Sequence, residues 1–173
     1  LISAAGAVLT KGDTVELTVQ DRAPALRLPG TAYVLPVVGA RGVGITTVNV
    51  ETVNLELYRV DDRGLVNQIN QNRLRGDPGW YGREQIENRQ GERVWTGSME
   101  VSGPRNREVT TLFPIDDALK RRAPGIYMLS ARTANATASQ WIVASDIGLT
   151  TFNGRKGMSV AARSLASARP LGD

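Results

Sequence analysis

Two pairs of adjacent aspartates, Asp61–Asp62 and Asp116–Asp117, have the residue type and the spacing that could do chemistry in this sequence. Neighbouring carboxylates can act as general acid and base, or can hold a divalent cation. Each pair, however, stands directly before a segment that is expected to form a helical turn. A carboxylate at that position accepts hydrogen bonds from free backbone N–H groups and interacts favourably with the helix dipole. We therefore predict a capping role for both pairs and no metal site.

The composition removes the commonest catalytic and metal-binding side chains, because the 173 residues include no histidine and no cysteine. Imidazole bases, thiol nucleophiles, disulfides and cysteine-ligated zinc are all excluded. The 21 Lys and Arg against 17 Asp and Glu give a net charge of +4. These charges are scattered and lack interleaved aromatics, which is typical of a solvated surface rather than a nucleic-acid site. The sequence predicts no enzyme, no catalytic residue, no metal and no cofactor.

Three further motifs could bind a ligand. The glycine-rich run Gly39–Gly44 precedes a strand rather than a helix, so it lacks the helix N-terminus of a phosphate site and is interpreted as a linker turn. Asn135–Thr137 matches a glycosylation acceptor, a pattern short enough to arise by chance. Trp80, Trp95 and Trp141 could form an aromatic platform. Because Trp95 and Trp141 are in phase with other apolar residues, we assign both to the core and expect only Trp80 to be exposed.

The clearest structural signal is the stretch of residues 44–60, GITTVNVETVNLELYRV, in which apolar and polar side chains alternate. A period of two is typical of a strand with one buried face. The parity of the apolar positions changes after Val50. This change predicts a bulge or a short break at Glu51–Thr52, where the chain passes from one pairing partner to another.

Alternation in other segments predicts an all-β fold, an antiparallel β-sandwich with a short helical insert. The other predicted strands are residues 14–20, 93–101, 107–115, 126–132, 140–150 and 158–165. A turn is predicted to begin at Asn153–Gly154. In strand 93–101 we expect Trp95 on one face and Val94 on the other.

The helical insert is predicted between about residues 62 and 91. Its first helix has Leu65, Val66 and Ile69 at the spacing of one buried face. Its second helix is predicted over residues 83–89, with Ile86 as its strong apolar contact.

Three segments resemble the bacterial alpha-2-macroglobulin family in their order and spacing: RAPALRLPGTAYVLP, ITTVNVETVNLELYRVDDRGLV, and SQWIVASDIGLTT followed by VAARSLASARPL. The resemblance implies fibronectin-like sandwiches, called macroglobulin-like domains. Residues 1–40 would be the closing strand and linker of a preceding domain. Residues 41–151 would be one whole domain, the third of the bacterial series, and residues 152–173 the first strand of the next. We therefore expect both ends to be cut from a larger protein.

The resemblance also implies a function. Family members are periplasmic, usually lipid-anchored to the inner membrane, and trap foreign proteases that cleave a bait region. Many form a thioester within a Cys-Xaa-Glu-Gln motif. Here Gly82-Arg83-Glu84-Gln85 has glycine in place of that cysteine, so no thioester can form there and no functional residue is carried over.

The expected function is that of a structural scaffold segment of a protease trap. Its partners would be neighbouring macroglobulin-like domains, and target proteases through the full-length protein. No nucleic acid is expected, and no membrane insertion of this segment. The alternative is a stand-alone β-sandwich module that binds a peptide or a cell-envelope ligand through a sheet edge. The full-length coding sequence would separate the two.

Overall fold

Two β-sheets packed face to face form the centre of the computed structural model, which describes residues 2–8, 14–30, 33–35, 42–70, 74, 76–119 and 123–172. The strands within these ranges are β1 (Ala25–Arg27), β2 (Tyr33–Leu35), β3 (Val43–Val48), β4 (Thr52–Val60), β5 (Gly91–Glu100), β6 (Val109–Phe113), β7 (Gly125–Arg132), β8 (Thr137–Ala144), β9 (Ile147–Gly154) and β10 (Gly157–Ser164). The helices are α1 (Asp62–Asn70), α2 (Gly79–Gln85) and α3 (Ile115–Leu119), and a π-helical turn at Ile86–Gln90 continues α2.

The smaller sheet of the sandwich has the strand order β1-β3-β6, and the larger sheet has the order β2-β8-β7-β4-β5. Neighbouring strands are antiparallel except for the parallel pair β2 and β8. Among the described strands, β9 and β10 pair only with each other and form a separate antiparallel hairpin. The predicted antiparallel β-sandwich with a short helical insert is therefore confirmed.

The stretch of residues 44–60 divides into β3 and β4, which belong to different sheets. The chain crosses at residues 49–51, where Asn49 has a φ of 50°. Asparagine tolerates this left-handed conformation better than most residues. The predicted break is confirmed, but it begins at Asn49, earlier than expected, and Thr52 already belongs to β4.

The main core lies between the two sheets and follows the alternation of the strands. In β7, Tyr127, Leu129 and Ala131 point into this core, whereas Met128 points to the opposite face. The larger sheet contributes Val53, Leu55, Leu57, Ala138, Ile142 and Ala144 as well, and the smaller sheet contributes Leu26, Val43, Ile45 and Phe113. Helix α3 closes one side with Ile115, Ala118 and Leu119.

A second apolar cluster covers the outer face of the larger sheet. It consists of Tyr58, Val60, Ile86, Met128 and Trp141, and Leu65 of α1 packs against it. The predicted core position of Trp141 and the anchoring role of Ile86 are confirmed, since both are at most 1% exposed. The helical insert thus buries the face that the sandwich core leaves free.

The buried face of α1 differs from the prediction, because Val66 and Ile69 are exposed while Gly64 and Gln68 are buried. Glycine lets the helix approach its neighbours closely. A Cβ atom at position 64 would lie 2.8 Å from the Cβ of Gln90 and 2.9 Å from a methyl group of Val60. This close approach rotates α1 away from the orientation that its apolar spacing predicts.

The faces of β5 also depart from simple alternation. The pairing register with β4 shifts at Leu57 and Tyr58, which face Trp95 and Arg93 respectively. Such a bulge reorients neighbouring side chains. As a result Val94 and Trp95 both pack against the main core, although we predicted opposite faces. Trp95 is half-buried and its ring centroid lies 5.2 Å from that of Phe113.

Two further expectations need correction. Residues 14–20 form no strand, and their apolar residues Val15, Leu17 and Val19 are exposed. A strand needs hydrogen-bonding partners, and no described strand pairs with this segment. In the last hairpin the turn lies at residues 155–156, two residues beyond the predicted start, because Gly154 pairs with Gly157.

The predicted domain limits stay predictions. Residue 151 lies within β9, which runs across that limit. Residues 36–41, around the other limit, lie outside the described residues.

Candidate functional site

The predicted capping role is confirmed for Asp61, the first residue of the first acidic pair. The Oδ1 atom of Asp61 accepts a hydrogen bond of 2.6 Å from the backbone N–H of Gly64, and Asp62 is the first residue of α1. Asp116 and Asp117 lie in the first turn of α3. Within the described ranges, no group of three or more Asp or Glu side chains is arranged to hold a metal ion.

The other candidate motifs lie apart from one another. Gly42 directly precedes β3 and Gly44 lies within this strand, so no helix follows them, and residues 39–41 lie outside the described residues. A Cβ atom at Gly42 would stand 2.8 Å from the carbonyl oxygen of Phe113, so this glycine permits the close approach of β6.

Asn135 lies in the exposed turn between β7 and β8, and Gly82 is buried in α2. Trp80 is 70% exposed, as expected.

None of the helices in the described part of the chain is both long and apolar enough to cross a bilayer.

A charged cluster joins the helical insert to the outer face of the larger sheet. Glu56 of β4 accepts hydrogen bonds from Arg93 at 2.9 Å and from the hydroxyl of Tyr58 at 3.0 Å. Arg132 of β7 forms an ion pair with Glu87 of the π-helical turn and lies 3.9 Å from Glu56. The cluster therefore bridges four chain segments, β4, β5, β7 and the π-helical turn, through two carboxylates that are mostly buried.

This environment shifts the proton affinity of its members. Burial raises the pKa of Tyr58 to about 12, and the hydrogen bond to Glu56 adds to the effect. The hydrogen bond to Glu87 raises the pKa of the Arg132 guanidinium. Both shifts stabilise the protonated form of each group. Tyr58 and Arg132 therefore both stay protonated at neutral pH, which favours a structural role over proton transfer.

Stability is expected to fall as pH rises from 10 to about 12, because Tyr58 has a higher pKa in the folded chain than its ordinary value of 10.0. Below pH 10 the Tyr58 hydroxyl keeps its proton in both the folded and the unfolded chain, so its full contribution to the stability of the fold is present. The loss should amount to about 1–2 kcal/mol, since one pKa unit corresponds to about 1.4 kcal/mol and solvent screens part of the effect. Urea unfolding at several pH values, with Tyr58→Phe as the reference, measures it. Equal pH slopes for the parent and the variant would contradict this assignment.

A serine beside an aspartate is the arrangement nearest to a catalytic one among the described residues. The hydroxyl of Ser139 donates to Asp77 at 2.9 Å and accepts a hydrogen bond from Arg83 at 3.1 Å. Ser139 is 4% exposed. A serine nucleophile attacks through its oxygen. Here the guanidinium of Arg83 donates a hydrogen bond to that oxygen, and burial keeps a substrate away from it. The three side chains instead fasten the start of α2 to β8.

A polar clasp holds the incoming chain against the sandwich; we use this name for Asp21, Arg22, Asn49 and Asn106. The Oδ1 atom of Asn106 accepts hydrogen bonds of 2.9 Å from both the backbone N–H of Arg22 and the amide of Asn49. Asn49 donates to the carbonyl of Arg22 at 2.6 Å, and Asn106 donates to Asp21 at 2.7 Å. Sequence reasoning offered no signal for these partners, of which Arg22 is 84 residues away from Asn106.

The clasp borders a cleft of about 510 Å³ at one end of the sandwich. Residues 21–24, directly before β1, are called the connector, and Asp21, Arg22 and Pro24 of this segment line the cleft. The loops at residues 49–51 and 101–107 form the other walls. Arg105 forms an ion pair with Asp21, and Arg22 lies 3.7 Å from Glu108. Three of the charged residues that line the cleft, Asp21, Arg22 and Arg105, are therefore already engaged in ion pairs.

The chain comes in at one end of the sandwich and leaves at the other. Ala25 pairs with Val48, just before the crossing to β4, and Asn54 near the start of β4 pairs with Arg132 beside the β7–β8 turn. From that turn β8 runs the length of the sheet and ends at Ala144, where the chain continues into the hairpin. Segments before and after the sandwich are thus held at opposite ends.

Comparison with known families identifies the chain. The sequence model of the bacterial alpha-2-macroglobulin MG2 domain matches residues 30–141. The chain belongs to the bacterial alpha-2-macroglobulin family. The expected family is confirmed, although the matching model is that of MG2 and not of the third domain that we expected.

Curated relatives and solved structures agree with this family. The chain is 25% identical over 180 residues to an alpha-2-macroglobulin of Xylella fastidiosa strain 9a5c, a match that covers 98% of the chain and 11% of the relative. It matches the crystal structure of native alpha-2-macroglobulin from Escherichia coli spanning domains MG0-NIE-MG1, with a TM-score of 0.71 and 21% identity. This match covers 90% of the present chain and 50% of the E. coli chain. It also matches the native conformation of the E. coli protein solved by cryo-EM, with a TM-score of 0.67 and 20% identity. That match covers 98% of the present chain and 11% of the E. coli chain.

The two E. coli structures show the macroglobulin-like sandwich fold of this chain. Both belong to larger chains, of which the matched part is at most half. The chain likewise spans only about a tenth of the length of the curated relatives that it matches. The chain therefore corresponds to one part of each of these larger relatives.

Proposed function

We propose that this chain is a structural scaffold segment of a bacterial alpha-2-macroglobulin-like, broad-spectrum protease inhibitor. The observation that carries the proposal is that the chain comes in and leaves at opposite ends of the sandwich. A domain with this connectivity is suited to stand in a series and to space its neighbours. Membership of the family supplies the kind of protein in which such a series occurs.

Exposed apolar faces on both connecting elements support neighbouring domains as partners. On one side Val15, Leu17 and Val19 are exposed in the segment before the clasp. On the other side one face of the β9–β10 hairpin carries four exposed large apolar residues: Ile147, Leu149, Met158 and Val160. Contiguous exposed apolar surface of this kind marks contacts with other protein surfaces.

The proposal includes target proteases as partners of the full-length protein, and a periplasmic location with a lipid anchor outside this chain. Both come from the family resemblance. No enzymatic activity is proposed, because the Ser139 hydroxyl is buried and hydrogen-bonded to both Asp77 and Arg83, and the sequence has neither histidine nor cysteine.

A protease assay tests the proposal. The isolated chain, in excess over a general protease, is expected to change neither the cleavage of a small chromogenic substrate nor that of a large protein substrate. The full-length protein is expected to protect only the large substrate, because a trapped protease still admits small molecules. Bovine serum albumin at equal mass serves as the control for competition.

Two results would contradict the scaffold role. Protection of the large substrate by the isolated chain would show that this segment inhibits by itself. Hydrolysis of either substrate without added protease would show that it is an enzyme. A full-length protein that protects neither substrate would overturn the protease-inhibitor part of the proposal.

A further inference from the structure

We infer that the polar clasp is a rigid coupling, which fixes the direction of the chain before residue 21 relative to the sandwich. The inference concerns this chain alone and does not depend on the proposed inhibitor function. It rests on hydrogen bonds between residues 21–22 and two asparagines that lie on different loops of the sandwich.

The clasp binds both the backbone N–H and the backbone carbonyl of Arg22. Arg22 donates its backbone N–H to Asn106 and offers its carbonyl to Asn49. These two groups belong to the peptide units on either side of the Arg22 Cα atom, so neither unit can rotate without breaking a hydrogen bond. The side chain of Arg22 adds a third contact, to the backbone carbonyl of Asn106 at 3.2 Å.

The two asparagines are themselves locked together. The amide of Asn49 donates to Asn106 at 2.9 Å, and the backbone N–H of Asn106 donates to the Oδ1 atom of Asn49 at 2.7 Å. Both residues have positive φ angles, 50° and 64°. Such left-handed positions are held by the surrounding structure, here by the mutual pair of hydrogen bonds. The clasp is therefore built from two asparagine side chains that hold each other in place.

The loops that carry the asparagines connect the clasp to both sheets. Asn49 lies in the crossing from β3 to β4, and Asn106 lies between β5 and β6. Ion pairs continue from the connector into β1, from Asp21 to Arg105 and from Arg27 to Glu108. A change in direction of the connector would therefore have to break contacts to both layers of the sandwich.

A distance measurement tests this inference. The chain has no cysteine, so nitroxide labels can be placed at Val19→Cys, two residues before the clasp, and at Leu112→Cys on β6. Both side chains are exposed, at 90% and 64%. Pulsed electron paramagnetic resonance on the otherwise unchanged chain is expected to give one narrow distance peak.

Glycine variants break the clasp without strain. Asn106→Gly and Asn49→Gly remove the amides, and glycine adopts positive φ angles readily. Each variant is expected to lose the narrow peak and give a distribution about twice as broad, since the freed connector samples many directions. Asn135→Gly, in an exposed turn at the same end of the sandwich, is the matched control and should keep the narrow peak.

Thermal unfolding of each variant verifies that the sandwich stays folded, and the two clasp variants provide independent tests. A distribution in the parent chain as broad as in both clasp variants would overturn the inference. So would a narrow peak that survives in both folded variants, because the direction would then be set by other contacts.

Discussion

Replacing Trp141 by alanine is expected to lower the free energy of unfolding by about 3–5 kcal/mol, the usual range for a large buried aromatic. Trp141 is 1% exposed and packs with Ile86 and Met128 beneath the helical insert. Its removal leaves a cavity that the strand backbones cannot close, because β8 is paired on both sides. Chemical denaturation followed by circular dichroism measures the change.

The matched control is Trp80→Ala, the same substitution at a residue that is 70% exposed. Its effect should stay within about 0.5 kcal/mol, as for most surface positions. Equal effects of the two substitutions would show that the helical insert does not pack on the larger sheet as described. Hydrogen exchange in α1 and α2 should also rise in Trp141→Ala, since the insert rests on this side chain.

Leu129→Ala is expected to cost about 2–5 kcal/mol, because the residue lies in the middle of the main core. Leu129 is fully buried on the central strand β7, where Leu57 pairs with it from β4. The lost apolar surface and the remaining cavity both contribute to the destabilisation. This substitution tests the contact between the two sheets, whereas Trp141 tests the opposite face.

Leu112→Ala on β6 is the control, because this leucine is 64% exposed and also lies in a strand. We expect a change of about 0.5 kcal/mol or less. If Leu112→Ala were as harmful as Leu129→Ala, the inward and outward faces of the smaller sheet would be assigned wrongly. Thermal and urea unfolding should rank the two variants in the same order.

The sequence by itself determined those features whose cause is local. Alternation predicted most strands of the sandwich because successive side chains of a strand point to opposite faces, although residues 14–20 alternate and form no strand. The capping role of Asp61 followed from its place before α1. The absence of histidine and cysteine excludes imidazole and thiol chemistry, since no fold can supply a side chain that the chain lacks. The resemblance in three segments led to the right family, though to a different domain number.

Only the tertiary structure decided the features that depend on residues far apart in the sequence. The rotation of α1 follows from the contact of Gly64 with Gln90 and Val60, which its apolar spacing does not encode. The faces of β5 follow from a bulge opposite Leu57, set by pairing between strands. The clasp joins Arg22 to Asn106 across 84 residues. Hydrogen-bonding side chains of this kind carry no periodic signal, so their partners become defined only when the topology brings the loops together.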